Sequence, residues 1–260
     1  MKKAILFILL AGIFKIPSVM AFEVKHDFNV SIGPFDAATT RFTYTLNPSA
    51  YGVTSKVKTD GVFNTLYPFK ANYATTGKIK KEKFETATYH YDSQSRFNKR
   101  SKELVYDDNG RPLYRLSTKN GKQKKSGVDT TIDSTDTTDL QTIFAKLAKQ
   151  YNDVRFCDAR MQVFDGKKRF DVIFKDEGKE ELPSQEGLAY SGTAAKCSIY
   201  IDKLGDKGDD LLWELTSDRP IYFWMMEDEN SRKPFIVKIM IEDTPLGRLE
   251  ALAQKIEIKD

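Results

Sequence analysis

Cysteine, histidine and tryptophan are scarce in this chain, with two residues of each among 260. His26 and His90 lie in predicted strands, outside any nucleophile or metal-binding motif, and Cys157 and Cys197 lack the C-x-x-C spacing of redox enzymes. No nucleophile elbow, zinc-protease motif, phosphate-binding loop or dinucleotide fingerprint occurs. We therefore expect a protein that is not an enzyme and that needs no cofactor or metal. A hydrolytic carboxylate pair stays open, because it depends on distance in the fold.

Long hydrophobic runs are missing beyond the N-terminus. There, two lysines precede an apolar run over residues 4–14, and Val19 and Ala21 occupy the −3 and −1 positions of a signal-peptidase site. The run is too short to span a bilayer as a stable helix. The pattern predicts a signal peptide over residues 1–21 and export of residues 22–260. Position 22 is not a cysteine, so we expect a periplasmic protein with no lipid anchor and no transmembrane segment.

A strong excess of one charge is also missing. Removing Lys2, Lys3 and Lys15 with the signal peptide leaves 38 of the 41 basic residues against 37 acidic ones. Such a balance argues against nucleic acid as a partner and gives no general case for attraction to an anionic membrane.

Short alternating runs rich in Thr, Tyr, Phe and Val fill the chain from residue 22 to about residue 114, with turn signals roughly every ten residues. Residues 119–136 are polar and predict an exposed loop. Thr138 and Gln141 form a capping-box pattern that predicts the start of a helix, with an apolar stripe along it. The stripe comprises Leu140, Ile143, Phe144, Leu147 and Tyr151. We predict a single, mainly β domain: a strongly curved antiparallel sheet, or open half-barrel, with one amphipathic helix against it.

Both cysteines lie in the stretch with the clearest strand-turn-strand pattern. Asp165 and Gly166 predict a two-residue hairpin turn, which would place Met161 opposite Phe170. Cys157 falls on the apolar face of this hairpin, and Cys197 falls on the apolar face of the segment AYSGTAAKCSIYID. The pattern suggests a disulfide between them in an exported protein, while two separate buried thiols would be expected in a cytosolic one.

One strand, IYFWMM at residues 221–226, is apolar on both faces and therefore needs cover on each side. Together with the single helix and the 17 Phe and 12 Tyr residues, it suggests an apolar cavity on the concave face of the sheet. The hypothesis is a non-enzymatic envelope protein that holds a hydrophobic or lipid-like ligand, and its candidate contact residues are Phe144, Leu147, Tyr151, Tyr222 and Trp224. The alternative is a structural or protein-interaction module of the cell envelope that binds no small ligand.

Several segments resemble the bacterial exported family known as domain of unknown function 3108. The resemblance rests on Cys157 followed by VFDGKKRFDVIF (163–174), YSGTAAKC (190–197), PIYFWMMED (220–228) and RKPFIVKIMIEDTPLG (232–247). It implies a periplasmic, β-rich protein with a curved open sheet similar to that of periplasmic lipoprotein carriers, and a helix on the concave side. The family has no agreed activity and no catalytic residues to carry over.

Overall fold

The computed structural model describes residues 21–203 and 216–259, which form an antiparallel sheet of 14 strands and two helices. The predicted signal peptide lies outside the described residues, except for Ala21. The elements in chain order are β1 (Phe22–Ile32), β2 (Phe35–Leu46), β3 (Ala50–Thr59), α1 (Gly61–Leu66), β4 (Phe69–Lys80), β5 (Lys83–Ser95), β6 (Lys99–Tyr106), β7 (Pro112–Lys119), β8 (Lys122–Gly127), α2 (Thr142–Val154), β9 (Ala159–Phe164), β10 (Arg169–Leu182), β11 (Gly192–Lys203), β12 (Ile221–Glu227), β13 (Pro234–Thr244) and β14 (Gly247–Lys259).

The sheet consists of two meanders joined at one seam. Strands β1 to β8 pair in succession, as do β9 to β14, and β1 pairs with β14 along most of its length. All these pairings are antiparallel, which short turns allow. The mainly β fold predicted from the alternating segments is therefore confirmed.

Strand β1 shows why the sequence forms half-buried strands. Successive side chains of a strand point to opposite faces. Phe22, Val24, His26 and Phe28 are buried, while the charged residues between them are more accessible to solvent. The face that carries the buried set is continuous with the apolar faces of the neighbouring strands.

Helix α2 packs against β2, β3 and β5 of the first meander and against β13 of the second. Because one short helix contacts strands from both meanders, the sheet must curve around it. Ile143, Leu147 and Tyr151 are buried on its inner side, as the predicted apolar stripe required.

The two outer strands approach each other without closing the sheet. Among the described strands, β8 and β9 do not pair. The connecting segment fills the gap instead: the Asp129 N–H donates to the Gly166 carbonyl at 3.1 Å, and Thr138 forms an isolated bridge with Val163. Gly166, with φ of +90°, lies close to the Leu104 side chain. This turn therefore packs against β6 through side chains rather than through a strand ladder.

Two local predictions need correction. Residues 122–127 form the edge strand β8, so the loop predicted over 119–136 is interrupted by a strand. The β9–β10 hairpin has a four-residue connection, and Met161 faces Val172 rather than Phe170. The cause is Asp165, whose carboxylate accepts the N–H groups of Lys167 and Lys168 at 2.9 and 2.8 Å and so widens the turn. A shift of two residues keeps every side chain on its predicted face.

Candidate functional site

The five predicted ligand-contact residues do not form one site. Leu147 and Tyr151 lie on the buried side of α2, in one apolar cluster with Phe223 and Met225 of β12. Trp224 lies between these two residues of β12, so its side chain projects from the opposite face of the strand. Tyr222 shares that face and packs at 6.4 Å between ring centroids from Trp224.

The helix–sheet interface is also too tightly packed for a ligand. The void beside Phe144 and Leu147 has a volume of about 10 Å³, which is at most room for one water molecule. The ring of Phe144 meets that of Phe42 at 5.6 Å in an edge-to-face arrangement. These side chains therefore form core packing in the described structure.

Trp224 is covered by lysines on its own face of the sheet. The ammonium groups of Lys196 and Lys238 lie 5.4 and 5.1 Å from its ring. Each lysine also contacts an acidic residue, Glu180 at 3.1 Å and Glu250 at 3.2 Å. Trp224 also belongs to an apolar cluster that contains Leu182 and Ala194. Cation–π contact with the lysines and burial in this cluster together shield a tryptophan on the second face from water.

A different site is formed where β13 and β14 separate. Their pairing joins residues 238–244 of β13 to residues 247–252 of β14, and within the described residues it goes no further. Beyond this point β14 continues to pair with β1, while the first residues of β13 pair with β12. We call the resulting gap, between residues 234–237 and residues 253–259, the fork.

Side chains and the backbone of the preceding loop, not a neighbouring strand, satisfy the backbone of the fork: the Ala189 N–H donates to the Ala253 carbonyl at 2.9 Å. The Ile236 N–H donates to His26 Nε2 at 3.1 Å, and the Tyr44 hydroxyl donates to the Pro234 carbonyl. On the other side, the Tyr190 hydroxyl lies 3.2 Å from the Ile256 nitrogen and 3.4 Å from its carbonyl oxygen. Buried backbone groups need such partners, so the fork is held open by specific polar side chains.

Burial changes the protonation of the groups in the fork. Desolvation lowers the pKa of His26 to about 4, so its imidazole is neutral at pH 7. With Nε2 accepting from Ile236, the proton must be on Nδ1, which lies 3.3 Å from the Phe42 carbonyl oxygen. Burial likewise raises the pKa of the Tyr44 hydroxyl, so it stays a hydrogen-bond donor.

The fork contains an open pocket of about 360 Å³. Its apolar wall consists of Tyr190, Phe235, Ile256 and Ile258, and its polar rim consists of Asp228, Asn230 and Ser231. The rings of Tyr190 and Phe235 lie 5.2 Å apart. A volume of this size is within the range of small-ligand sites.

The turn that forms the rim is rigidly built. The Asp228 carboxylate accepts the N–H groups of Asn230 and Ser231 at 3.2 and 2.7 Å, together with the Ser231 hydroxyl at 2.9 Å. These hydrogen bonds, from Ser231 first, lower the pKa of Asp228. The carboxylate is therefore engaged by its own turn, which leaves the Asn230 amide as the freer polar group.

The start of α2 carries a buried polar network that the sequence pattern did not predict. The Asp139 carboxylate accepts the N–H groups of Gln141 and Thr142 at 2.9 and 3.2 Å, two and three residues ahead, as an N-cap does. It also accepts the hydroxyls of Thr75 and Thr86 at 3.0 and 2.9 Å. The capping box predicted from Thr138 and Gln141 is therefore wrong: Thr138 forms a bridge with Val163, the helix begins at Thr142, and Asp139 accepts the N–H groups at its start.

Tyr51 extends this network to a third strand. Its hydroxyl lies 2.8 Å from the Thr142 hydroxyl and 3.1 Å from that of Thr86. Burial, and then the nearby Asp139 charge, raise the pKa of Tyr51, so it remains protonated. The network ties the helix start to β3, β4 and β5. Every hydroxyl of the network has a hydrogen-bond partner within it, so the geometry of the network indicates a structural role.

Cys157 and Cys197 meet in the core, as their shared apolar face predicted. Their Cα atoms are 6.1 Å apart, which is compatible with a disulfide, and both residues are fully buried. No cluster of three or more His, Cys, Asp or Glu residues that could hold a metal ion occurs in the described ranges.

In residues 21–203 and 216–259, neither helix has the length and apolar character needed to cross a membrane.

The fold and the fork define a mainly β protein with one large, open, curved antiparallel sheet and a helix inside the curve. The chain belongs to the family described as protein of unknown function DUF3108, which matches residues 27–252. No curated protein matches it. Among solved structures, the chain is similar to a beta-barrel-like protein of the domain of unknown function DUF1849 from Brucella abortus. The two share 11% identity and a TM-score of 0.49, over 92% of this chain and 98% of that one.

Proposed function

We propose that this chain is a non-enzymatic protein of the bacterial cell envelope, exported to the periplasm, that binds the apolar part of a hydrophobic or lipid-like molecule in the fork. The observation that carries the proposal is the pocket of about 360 Å³ with an apolar wall and a polar rim. The export part rests on the N-terminal sequence pattern and on the disulfide-compatible cysteine pair, since disulfides persist in oxidising compartments.

The pocket suits an amphiphile rather than a fully apolar molecule. Phe235 is buried at its base, and Ile256 and Ile258 line one side with half-buried side chains. A short acyl or aromatic group would cover these side chains and gain about 25 cal/mol for each Å² of apolar surface removed from water. The exposed Asn230 amide at the rim would then hydrogen-bond to the polar end of the ligand.

Filling the pocket tests the proposal directly. Ile258→Trp places a bulky ring at the half-buried wall, while Ile173→Trp makes the same change at a half-buried strand position outside the fork. Binding of a fluorescent fatty acid is measured by titration for the mature chain, with lipid analysis of protein purified from periplasm without detergent. We expect Ile258→Trp to weaken binding at least about tenfold, equivalent to about 1.4 kcal/mol, and Ile173→Trp to bind like the parent. Equal binding by both variants, or none by the parent, would refute the proposal.

A second candidate function is a structural or protein-interaction module with no small ligand. The observation that favours it is the packed interface under α2, where the void is only about 10 Å³. It predicts that protein purified from periplasm carries no ligand and that Ile258→Trp changes neither fatty-acid titration nor partner contacts.

A further inference from the structure

Exposed apolar side chains concentrate at one end of the sheet. Strands β1, β3, β5 and β13 run in the same direction and finish at this end, as their antiparallel pairing to shared neighbours requires. The connections that follow them, together with the first residue of β2, carry six large hydrophobic residues that are at least half exposed. We call these six the turn surface: Phe35, Val62, Leu66, Tyr67, Phe97 and Leu246.

Hydrogen bonds join neighbouring connections of this row in two pairs. The Gly33 N–H donates to the Arg248 carbonyl at 2.9 Å, linking the β1–β2 and β13–β14 turns. The Arg96 guanidinium donates to the Thr65 carbonyl at 2.9 Å, linking the β5–β6 turn to α1. Asp60 caps α1 by accepting the Gly61 N–H at 2.9 Å. These hydrogen bonds hold the turns in place, and with them the exposed apolar side chains that the turns carry.

The exposure of these residues is far greater than core packing would leave. Phe97 is 80% exposed and Tyr67 is 71% exposed. Isolated exposed hydrophobic residues are ordinary, but several on linked turns at one end mark an interaction surface. Of the other large hydrophobics exposed in the described residues, Leu113, Val154 and Phe156 lie outside this row.

The charge around the turn surface is predominantly positive. Exposed basic residues at this end are Lys58, Lys70, Arg96, Lys99, Arg100, Lys119, Lys122 and Arg248, and none of them forms an ion pair within the described residues. In the four connections that carry the turn surface and at the strand ends next to them, the described acidic residues are fewer: Asp36, Asp60, Glu242 and Asp243. The chain as a whole is nearly balanced in charge, but basic residues outnumber acidic ones around the turn surface.

We infer that the turn surface docks the protein onto an anionic phospholipid membrane. Side chains on the tips of separate turns form a projecting row, which suits insertion among lipid head groups better than a groove would. Aromatic and aliphatic side chains enter the interfacial region, while flanking Lys and Arg side chains extend to the phosphates. Attraction to an anionic leaflet contributes about fivefold in partitioning for each basic residue held near it.

This inference goes beyond the proposed function, because the turn surface and the fork lie at opposite ends of β13 and β14. A membrane-docked protein would hold the fork pocket away from the lipid surface. The docking step and ligand binding are therefore separable by mutation.

Vesicle flotation of the mature chain tests the inference. The probes are vesicles of phosphatidylglycerol with phosphatidylethanolamine, and vesicles of phosphatidylcholine alone. We expect flotation with the anionic vesicles only, reduced by 0.5 M salt because exposed charges are screened. Phe97→Asp, and Lys99→Glu with Arg100→Glu, should each reduce the bound fraction at least about tenfold.

Matched controls separate docking from general effects on folding or charge. Leu113→Asp changes a residue of β7 that is 51% exposed outside the row, and Lys179→Glu reverses an exposed lysine of β10. Both should float like the parent, and far-ultraviolet circular dichroism checks that every variant is folded. Absence of flotation by the parent, equal flotation with phosphatidylcholine, or undiminished flotation of Phe97→Asp would overturn the inference. A protein adduct at a photocrosslinker placed at Phe97, without flotation, would assign the surface to a protein partner and equally overturn it.

Discussion

His26 Nε2 accepts the backbone N–H of Ile236 at 3.1 Å, although strand β14 lies between the strands that carry the two residues. The bond spans the fork and joins the first strand of one meander to the second meander. It is possible only because β13 leaves β14 at this point, so that a side chain can reach a main-chain donor. The fully buried imidazole of His26 thus accepts a backbone hydrogen bond that a paired strand would otherwise accept.

The first prediction concerns the pH dependence of stability. The pKa of His26 is about 4 in the folded protein and about 6.5 in the unfolded chain, so between these values the unfolded state binds more protons. His26 therefore makes the free energy of unfolding fall as pH decreases from about 6.5 to about 4, by up to about 3 kcal/mol. Above pH 7 its contribution is constant. Protonation of the His26 imidazole would place a hydrogen on Nε2, facing the Ile236 N–H. Nε2 could then no longer accept that hydrogen bond.

Urea unfolding at pH 7.5 and pH 5.0 measures this effect against a matched histidine. His26→Gln should be less stable than the parent at pH 7.5 but should lose less stability on acidification. His90→Gln changes a half-exposed histidine of β5 and serves as the matched control for the loss of an imidazole. An identical loss on acidification in the parent and in His26→Gln would contradict the assignment.

The second prediction concerns the anchor of α2. Asp139→Ala removes the acceptor for two backbone N–H groups and for the hydroxyls of Thr75, Thr86 and Thr142, all in a buried region. Unsatisfied buried donors and a lost cap should lower the free energy of unfolding by about 3 kcal/mol. Asp136→Ala removes an exposed carboxylate three residues earlier, paired with Lys83 at 2.9 Å. It should leave the urea midpoint unchanged, and a comparable loss in both variants would argue against the network.

Local periodicity was sufficient to predict the strands, the helix stripe and the meeting of the cysteines. Alternation assigns Cys157 and Cys197 to one buried face even where the hairpin register was predicted two residues away from the observed one. Because successive side chains of a strand point to opposite faces, Trp224 lies on the face opposite Phe223 and Met225. Leu147 packs with Phe223 and Met225, so a single site containing both Leu147 and Trp224 conflicts with the strand period.

The fork and the Asp139 network could not be predicted in this way. The fork arises because β13 and β14 stop pairing at Lys238 and Leu252, and nothing in the local sequence marks that point. His26 and Ile236 are distant in sequence, as are Thr75 and Asp139. The only visible signal was an apolar, regularly spaced β1 with a histidine in an inward position, where a buried imidazole needs polar partners.

The third prediction concerns the cysteine pair. A bond between Cys157 and Cys197 closes a loop with a sequence separation of 40 and should stabilise the protein by about 4 kcal/mol through the unfolded chain. Protein purified from periplasm should therefore show no free thiol when unfolded without reductant. Reduction should lower the urea midpoint of the parent. The variant Cys157→Ala with Cys197→Ala serves as the control and should not respond to reductant, whereas two reactive thiols in the unreduced parent would contradict the bond.

The fourth prediction tests whether the concave face beneath α2 is packed core or a place for a ligand. Leu147 is 2% exposed and the void beside it is about 10 Å³, so Leu147→Ala should create a cavity and cost about 3 kcal/mol of unfolding free energy. Val154→Ala shortens a side chain that is 62% exposed at the end of the same helix, and its effect should be small. The two urea midpoints decide the question. A ligand site in this place would tolerate Leu147→Ala with little loss of stability and would lose its ligand instead. Packed core would lose stability, as the small void predicts.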